Sequence, residues 1–382
     1  MLKRLYADNF RALVNADLPL ERRTLLMGSN GTGKSTFGEV LLRLQWMLSG
    51  VSKTDEIFSG DTLTRWQKTP RQRFELETTG PTGDYRYEVV VEHRDVASAE
   101  VPRTRILREV LTIDSQPLFH FEDGKVQLYR DDHSAGPQYP FDWGRSALGT
   151  IAPRPENQRL TWFVRWLRGL TVLKPNPPSM DELVERDEFL LLYEARNFAA
   201  WYHAASSGDK RRDRLLHDDL ADLLPSFDAL NFEPAGPNRW LLRVDFSRPG
   251  EPLMLRFKEL SDGQRELIIL YAVRHFLLQE GRTVFLDEPD NYVSLDEIQP
   301  WLLSVTDVVD AGSGQLVLVS HHPEIFNQWA VSHGVVAERD ECGPIRIRKF
   351  APAGATELTP AEAVARGWTA ERGSDTVGAA KK

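Results

Sequence analysis

Residues 28–35 have the composition of a phosphate-binding loop. They read GSNGTGKS and match the pattern G-x-x-x-x-G-K-[ST] at every fixed position. Glycines let successive backbone N–H groups turn towards phosphate oxygens, and a following helix adds positive potential at its start. The lysine of such a loop reaches the β- and γ-phosphates, and its last hydroxyl binds Mg²⁺. We therefore predict that ATP and Mg²⁺ bind here, through Asn30, Gly31, Thr32, Gly33, Lys34, Ser35 and Thr36.

A pair of carboxylates ends the apolar run in residues 283–291, TVFLDEPDN. Asp287 stands where a strand would end, and a carboxylate there supplies a second contact to Mg²⁺. Glu288 follows directly and is placed to polarise an attacking water as a general base. Alone, such a pair is also an ordinary start of a turn. Beside the phosphate-binding loop, it predicts phosphoryl chemistry with Ser35 and Asp287 as metal ligands.

A third motif, LSDGQR at residues 260–265, precedes a helical pattern and comes shortly before Asp287. Serine is a good helix N-cap, so the motif alone would be a weak indication. In this order and spacing it resembles the signature motif of the ABC ATPase superfamily, with Asp262 where transporters usually carry glycine. The resemblance implies that Ser261 and Gly263 bind the ATP held by another subunit.

Residues 320–323, SHHP, follow the apolar run GQLVLVS. By its order and spacing after Asp287, the first histidine, His321, resembles the switch histidine of ABC ATPases. The resemblance implies that His321 contacts the γ-phosphate and holds Glu288 and the water in register. His322 has no counterpart in the motif, and we interpret it as structural.

Residues 9–11, NFR, and the DEPDN segment resemble the SMC, RecF and OLD-like branch of these ATPases. In that branch the arginine approaches the phosphates, which implies this role for Arg11. The sequence departs from the branch at Ser294, where transporters carry aspartate and OLD-like proteins histidine. The glutamine that ABC proteins place between their lobes stays unassigned, with Gln158 and Gln127 as the two candidates.

The elements around these motifs predict an α/β fold, namely an ABC-type P-loop ATPase head with an inserted antiparallel β lobe and a helical lobe. Residues 24–27 form a strand into the loop, and apolar residues at helical spacing follow it. Alternating segments between about 70 and 130 predict the β lobe. Helical patterns, among them DEFLLLYEARNFAAWYH at 187–203, predict the helical lobe, and LKPNPPS at 173–179 a turn or linker. The predicted divisions are an ATPase core (1–60 and 235–350), a β-rich insertion (65–150), a helical insertion (151–234), and a mostly disordered tail (353–382) with a short helix at 360–367.

Composition narrows the class of protein. A net charge of −9 argues against nucleic-acid binding through bulk electrostatics, although a local basic groove would still allow DNA as a partner. A single cysteine, Cys342, excludes an internal disulfide framework and fits a reducing cytoplasm. No apolar run long enough to span a bilayer and no secretory signal occurs, so we expect a cytoplasmic protein without a membrane partner.

The resemblance implies an ATPase that works as a head-to-tail dimer, or larger assembly, closing around two ATP molecules and reopening on hydrolysis. Relatives act in anti-phage defence or DNA repair. The sequence after His321 is short for a Toprim nuclease domain, so we expect a separate effector protein, for which a nuclease is one candidate. The alternatives are a DNA-binding, RecF-like loading ATPase and the energy-coupling subunit of a transporter. The NFR element, the long insertion and the wide separation of Lys34 from Leu260 argue against the transporter.

Overall fold

The computed structural model describes residues 1–50, 52–94, 104–339, 343–351 and 359–365. The strands in these ranges are β1 (Leu2–Asp8), β2 (Ala16–Pro19), β3 (Arg23–Met27), β4 (Arg71–Gly80), β5 (Gly83–His93), β6 (Thr104–Ile113), β7 (Gln116–Glu122), β8 (Lys125–Tyr129), β9 (Ala135–Pro140), β10 (Thr171–Leu173), β11 (Leu183–Val184), β12 (Phe227–Gly236), β13 (Arg239–Phe246), β14 (Leu253–Arg256), β15 (Thr283–Asp287), β16 (Gln315–Val319), β17 (Gly334–Arg339) and β18 (Ile345–Lys349). The helices are α1 (Lys34–Ser49), α2 (Thr54–Ile57), α3 (Gln158–Gly169), α4 (Phe198–Gly208), α5 (Lys210–Leu223), α6 (Asp262–Val273), α7 (Leu295–Asp310), α8 (Pro323–His333) and α9 (Pro360–Ala365).

A six-stranded sheet in the order β10-β15-β16-β3-β17-β18 forms the centre of the molecule. Its first five strands run parallel, and β18 pairs antiparallel with β17. Every residue of β15 and β16 is buried, as expected for parallel strands covered on both faces. Because parallel strands end at the same edge, the residues that follow β3, β10, β15 and β16 meet there.

This parallel sheet separates two hydrophobic clusters. Leu286 faces the cluster formed with α4 to α8, whereas its neighbour Phe285 faces the cluster formed with α1 and the antiparallel strands. The same alternation recurs in β3 and β16, because successive side chains of a strand point to opposite faces. The central strands are therefore fixed from both sides.

An eight-stranded antiparallel sheet, in the order β2-β1-β4-β5-β6-β7-β8-β9, covers one side of the core. Its strands β4 to β9 fall in the predicted β-rich insertion, but β1 and β2 come from the predicted ATPase core. The sheet crosses that boundary because β1 pairs with β2 on one edge and with β4 on the other. The exposed face carries arginine–glutamate pairs, including Arg105 with Glu92 and Arg108 with Glu88.

The predicted helical lobe is helical only in part. Helix α4 begins at Phe198, so the predicted helix over 187–203 is wrong for residues 187–196. Asn197 explains the difference, because its side-chain amide accepts a hydrogen bond from the Leu192 N–H and donates one to the Leu190 carbonyl. Such side-chain bonds to the backbone compete with helical ones.

Further along, β11 and β14 share one edge of β13, and β12 pairs with its other edge.

A short helix was predicted in the tail at 360–367, and α9 occupies Pro360–Ala365. It begins with the predicted capping box, since Thr359 Oγ1 accepts from the Glu362 N–H and the Glu362 carboxylate accepts from the Thr359 N–H. The rest of the predicted disordered tail, and Cys342, lie outside the described residues. Within the described ranges, none of the helices combines the length and apolar character needed to span a bilayer.

One buried glutamine joins the two large sheets at the end of the core away from the motifs. Gln315 opens β16 and is 1% exposed. Its amide nitrogen donates to the carbonyls of Leu2, in β1, and of Glu21, at 2.6 and 2.8 Å. Its amide oxygen accepts from the Leu2 N–H at 2.8 Å and from the Thr283 hydroxyl at 3.0 Å. One side chain thus satisfies four polar groups at the seam between the sheets.

We expect Gln315→Leu to lower the free energy of unfolding by about 3 kcal/mol, because it leaves several of these polar groups without partners. Urea-induced unfolding followed by tryptophan fluorescence measures the effect. The control Gln299→Leu removes an exposed amide and should change stability by about 0.5 kcal/mol or less. If the two variants are equally stable, the hydrogen bonds of Gln315 between the two sheets do not stabilise the fold as proposed.

Candidate active site at the carboxyl edge of the parallel sheet

The loop between β3 and α1 has a backbone that requires glycine at two of its positions. Gly28 has a φ of 147°, and a Cβ there would lie 2.2 Å from the Ala337 carbonyl oxygen. Gly33 has a φ of 82°, and a Cβ there would lie 2.3 Å from Ile345 Cδ1. Strands β17 and β18 therefore support the loop from behind, and side chains at these glycines would push it out of shape.

The predicted phosphate-binding residues occupy the turn and the first turn of α1. Asn30 and Gly31 are exposed at the tip of the loop. The Thr32 hydroxyl donates to the Ser29 carbonyl at 2.9 Å, and the Thr36 N–H donates to the Gly33 carbonyl at 3.0 Å. The loop is thus held by hydrogen bonds of its own backbone and side chains, with its tip open to a ligand.

Lys34 is buried beneath this loop and is only 5% exposed. Its ammonium group donates to the carbonyls of Gly28 and Ser29 at 2.8 and 3.0 Å. Burial lowers the pKa of Lys34, while the nearby charges of Glu288 and Asp287 act to raise it. The ammonium group therefore lies against the loop, within electrostatic reach of Asp287 and Glu288.

Asp287 ends β15 with a side chain that is 1% exposed. Both carboxylate oxygens are buried and accept no hydrogen bond from the described residues. Burial raises the pKa of Asp287, and the Ser35 side chain and the Lys174 charge oppose that rise. Buried oxygens that accept no hydrogen bond, beside a hydroxyl, fit a hard cation such as Mg²⁺, which one or two protein oxygens hold together with phosphates and water. Ser35 and Asp287 would hold that ion.

Glu288 has a left-handed backbone, with a φ of 52°, and its N–H donates to the Val319 carbonyl at 2.7 Å. This conformation is uncommon for a residue with a side chain. The carboxylate accepts from Lys174 Nζ at 2.8 Å and from Asn291 Nδ2 at 3.2 Å. Burial would raise the pKa of Glu288, but these two donors and the Lys174 charge lower it overall.

The two histidines after β16 have different surroundings. His321 lies within the electrostatic reach of Lys34 and Glu288: desolvation and the Lys34 charge lower the pKa of its imidazole, and Glu288 acts to raise it. His322 is the N-cap of α8, where its Nδ1 accepts from the Glu324 N–H at 3.2 Å. The structural interpretation of His322 is confirmed, and His321 is the histidine that borders the candidate site.

Lys174 contacts the site, although the sequence placed it in a linker. It directly follows β10, whose parallel pairing with β15 brings it beside Asp287 and Glu288. The sequence feature that could have predicted this contact is a charged residue directly after the short buried strand Thr171–Leu173. The two glutamines considered for this region lie elsewhere. Gln158 donates to the Arg154 carbonyl at the start of α3, and Gln127 bonds to backbone within the antiparallel sheet.

Arg11 lies beside α1 and does not bond to the phosphate-binding loop among the described contacts. Its guanidinium pairs with Glu39 of α1 at 2.7 Å, and its side chain is 45% exposed. The neighbouring residues of the NFR segment are structural. Asn9 is fully buried and donates to two backbone carbonyls, and Phe10 packs edge-on against Phe58 and Phe74.

The signature residues form the first turn of α6. Ser261 is the N-cap, and it forms a capping box with Gln264, whose N–H donates to Ser261 Oγ at 3.2 Å. A Cβ at Gly263 would lie 2.8 Å from the Tyr292 carbonyl oxygen, which belongs to the loop after Glu288. Within the described part of the chain, no hydrogen bond or ion pair joins Ser261 or Gly263 to the phosphate-binding loop.

Two positions where the sequence departs from its relatives have local partners. Asp262 pairs with Arg265 within the first turn of α6. Ser294 is the N-cap of α7 and donates to the Glu297 carboxylate at 2.6 Å, again in a capping box. Both departures therefore stabilise the starts of their helices.

The described elements form the fold of an ABC-type P-loop ATPase head. The fold is similar to that of a solved SMC head, described as "Crystal structure of the SmcHead bound to the C-winged helix domain of ScpA". The similarity covers 91% of this chain and 97% of that chain, with 10% sequence identity and a TM-score of 0.57. An SMC head domain from Thermotoga maritima matches over 92% and 99% of the two chains, with 12% identity and a TM-score of 0.46. An Smc head domain in a structure derived from Pyrococcus furiosus matches over 91% and 96%, with 11% identity and a TM-score of 0.45.

Residues 23–327 match the family described as "AAA domain, putative AbiEii toxin, Type IV TA system", and the chain belongs to that family. The match includes β3, the phosphate-binding loop, the signature segment, β15 and both histidines. The comparison with curated proteins found no match.

The different surroundings of the two histidines lead to a paired prediction. We expect His322→Ala to lower the free energy of unfolding by about 1 kcal/mol, because it removes the N-cap of α8. His321→Ala should change it by about 0.5 kcal/mol or less, because His321 caps no helix. Urea-induced unfolding of the nucleotide-free protein measures both effects. A larger loss for His321→Ala than for His322→Ala would contradict this assignment.

Proposed function

We propose that this protein is an ATP-hydrolysing, SMC/RecF/OLD-like ATPase whose ATP-dependent head-to-tail dimerisation regulates a partner protein. The observation that carries the proposal is the meeting of Lys34, Asp287, Glu288 and His321 at one sheet edge, while Ser261 and Gly263 make no bond to that loop. A site that holds phosphates but lacks the signature residues is completed by a second copy of the chain.

The roles in this proposal follow from the surroundings of each group. Lys34 and the N–H groups of the loop bind the phosphates, and Ser35 and Asp287 hold Mg²⁺, which neutralises phosphate charge. Glu288 orients and polarises the attacking water, a contribution worth about 10²- to 10⁴-fold in rate for a general base. His321 follows β16 at the edge where Asp287 ends β15, so it is placed to sense the γ-phosphate.

In this proposal, the parts of the molecule outside the ATP site regulate a partner protein. The similar SMC head was solved with the C-winged helix domain of ScpA bound. The family description names a toxin of a type IV TA system. Both support a head that acts through another protein in a defence setting, and a nuclease remains one candidate effector. We do not extend the proposal to direct DNA binding, because Arg105 and Arg108 are neutralised by glutamates.

We expect Glu288→Gln to hydrolyse ATP at least about 100-fold more slowly, since it loses the base. With ATP and Mg²⁺ it should accumulate as a dimer or larger assembly, because the hydrolysis that reopens the closed dimer is slowed. Multi-angle light scattering measures the mass with and without ATP. Lys34→Met, which should not hold ATP, is the control and should keep the nucleotide-free mass. The dimer proposal is wrong if the mass of the Glu288→Gln variant is the same with and without ATP and the Ser261→Arg variant hydrolyses ATP at the wild-type rate.

A mixture of two inactive variants tests whether the signature acts in trans. Lys34→Met disables the phosphate-binding half of each site, and Ser261→Arg disables the signature half. In a mixed head-to-tail dimer, one site combines the intact loop of the Ser261→Arg chain with the intact signature of the other chain. We expect mixing to restore hydrolysis that neither variant has alone. If ATP hydrolysis is not restored at any mixing ratio, the site is not completed by a second subunit.

A further inference from the structure

Lys174 is the feature of the site that no sequence motif explains. It stands one residue past β10, and Leu173 of β10 pairs in register with Leu286 of β15. Lys174 Nζ lies 2.8 Å from Glu288 Oε2 and 3.9 Å from Asp287 Oδ2. No other cation of the described residues forms an ion pair with either carboxylate.

The backbone of Lys174 is held by hydrogen bonds, whereas its side chain is partly exposed to solvent. Its N–H donates to the Tyr193 carbonyl at 2.8 Å, and the Asn176 N–H donates to the Glu194 carbonyl at 3.2 Å. The side chain is 38% exposed and has a flexible four-carbon stem. The residue is therefore anchored at the sheet edge with a charge that can leave the carboxylates without moving the chain.

The contacts of Lys174 conflict with the roles proposed for its two partners. A carboxylate that is paired with an ammonium group, as Glu288 is with Lys174, is a weaker acceptor for a proton from water. A divalent cation bound by Asp287 would stand close to the ammonium group, and like charges at such distances repel. Lys34 differs from Lys174 in its contacts: its ammonium group donates to the carbonyls of Gly28 and Ser29, and among the described residues it forms no ion pair with either carboxylate.

We propose that Lys174 is a charge latch: it holds Glu288 in an ion pair and places its charge beside Asp287, and it must leave both before a divalent cation binds and Glu288 acts. The proposal rests on the proposed function of this site. Lys174 is a positioning residue here, since it acts through Glu288 and Asp287. The latch keeps the two carboxylates compatible with a folded head that lacks nucleotide and delays water activation until the ligand arrives.

The test uses Mn²⁺ alone as the probe, titrated into the nucleotide-free full chain and followed by the electron paramagnetic resonance signal of free Mn²⁺. We expect Lys174→Met to bind Mn²⁺ about tenfold or more tightly than the wild type, because it removes the competing charge. Lys174→Arg keeps the charge and should bind like the wild type. The matched control Lys3→Met breaks a similar exposed pair, with Asp84 at 3.0 Å, and should change nothing.

Two outcomes would overturn the latch. One is an unchanged Mn²⁺ affinity in Lys174→Met, or in Lys174→Gln should the methionine variant fail to fold. The other is a gain that persists when Asp287→Asn is added to Lys174→Met, because the cation would then bind elsewhere. Hydrolysis assays of the same proteins separate this inference from the proposed function. Tighter Mn²⁺ binding without ATP hydrolysis by the wild type supports the latch and overturns the ATPase, whereas hydrolysis with equal affinities overturns the latch alone.

Discussion

The parallel pairing of β3 with β16, and of β16 with β15, is the constraint on which the candidate site depends. It brings Gly28, Glu288 and Ser320 to one sheet edge, although they lie far apart in the sequence. No local segment can form this arrangement, because each strand reaches its neighbour only through a long crossover. The site therefore forms together with the core, and the apolar residues on both sheet faces stabilise the positions of the charged groups at its edge.

Several features of this edge lower the free energy of unfolding. Asp287 has two buried oxygens that accept no hydrogen bond from the described residues, and Glu288 adopts a left-handed backbone. Buried unpaired polar groups and such conformations each cost on the order of 1–3 kcal/mol. They persist because the surrounding strands leave these residues no alternative position. Their concentration at one edge, beside a loop open to a ligand, is what a binding site for a charged ligand requires.

The sequence predicted the parts of the fold whose patterns are local. The loop GSNGTGKS, the buried run of β15 and the helix starts at Ser261 and Thr359 each carry their own chemistry in a few residues. The failures depend on partners distant in sequence. Residues 187–196 have helical periodicity, but the Asn197 amide binds their backbone instead. Strand β1 joins the antiparallel sheet through β4, and Lys174 reaches the site only through the pairing of β10 with β15.

The capping box at Ser261 also determines what a phosphate would meet at the start of α6. The Ser261 hydroxyl is within 3.2 Å of Gln264 Oε1, and that oxygen also accepts from the Ser261 N–H at 3.0 Å. If the hydroxyl turns to donate to a phosphate, Gln264 Oε1 keeps one donor, and a neutral hydrogen bond is exchanged for a stronger charge-assisted one. No segment has to become ordered for this exchange. The start of α6 is thus preorganised, and its encounter with a phosphate carries almost no conformational entropy cost.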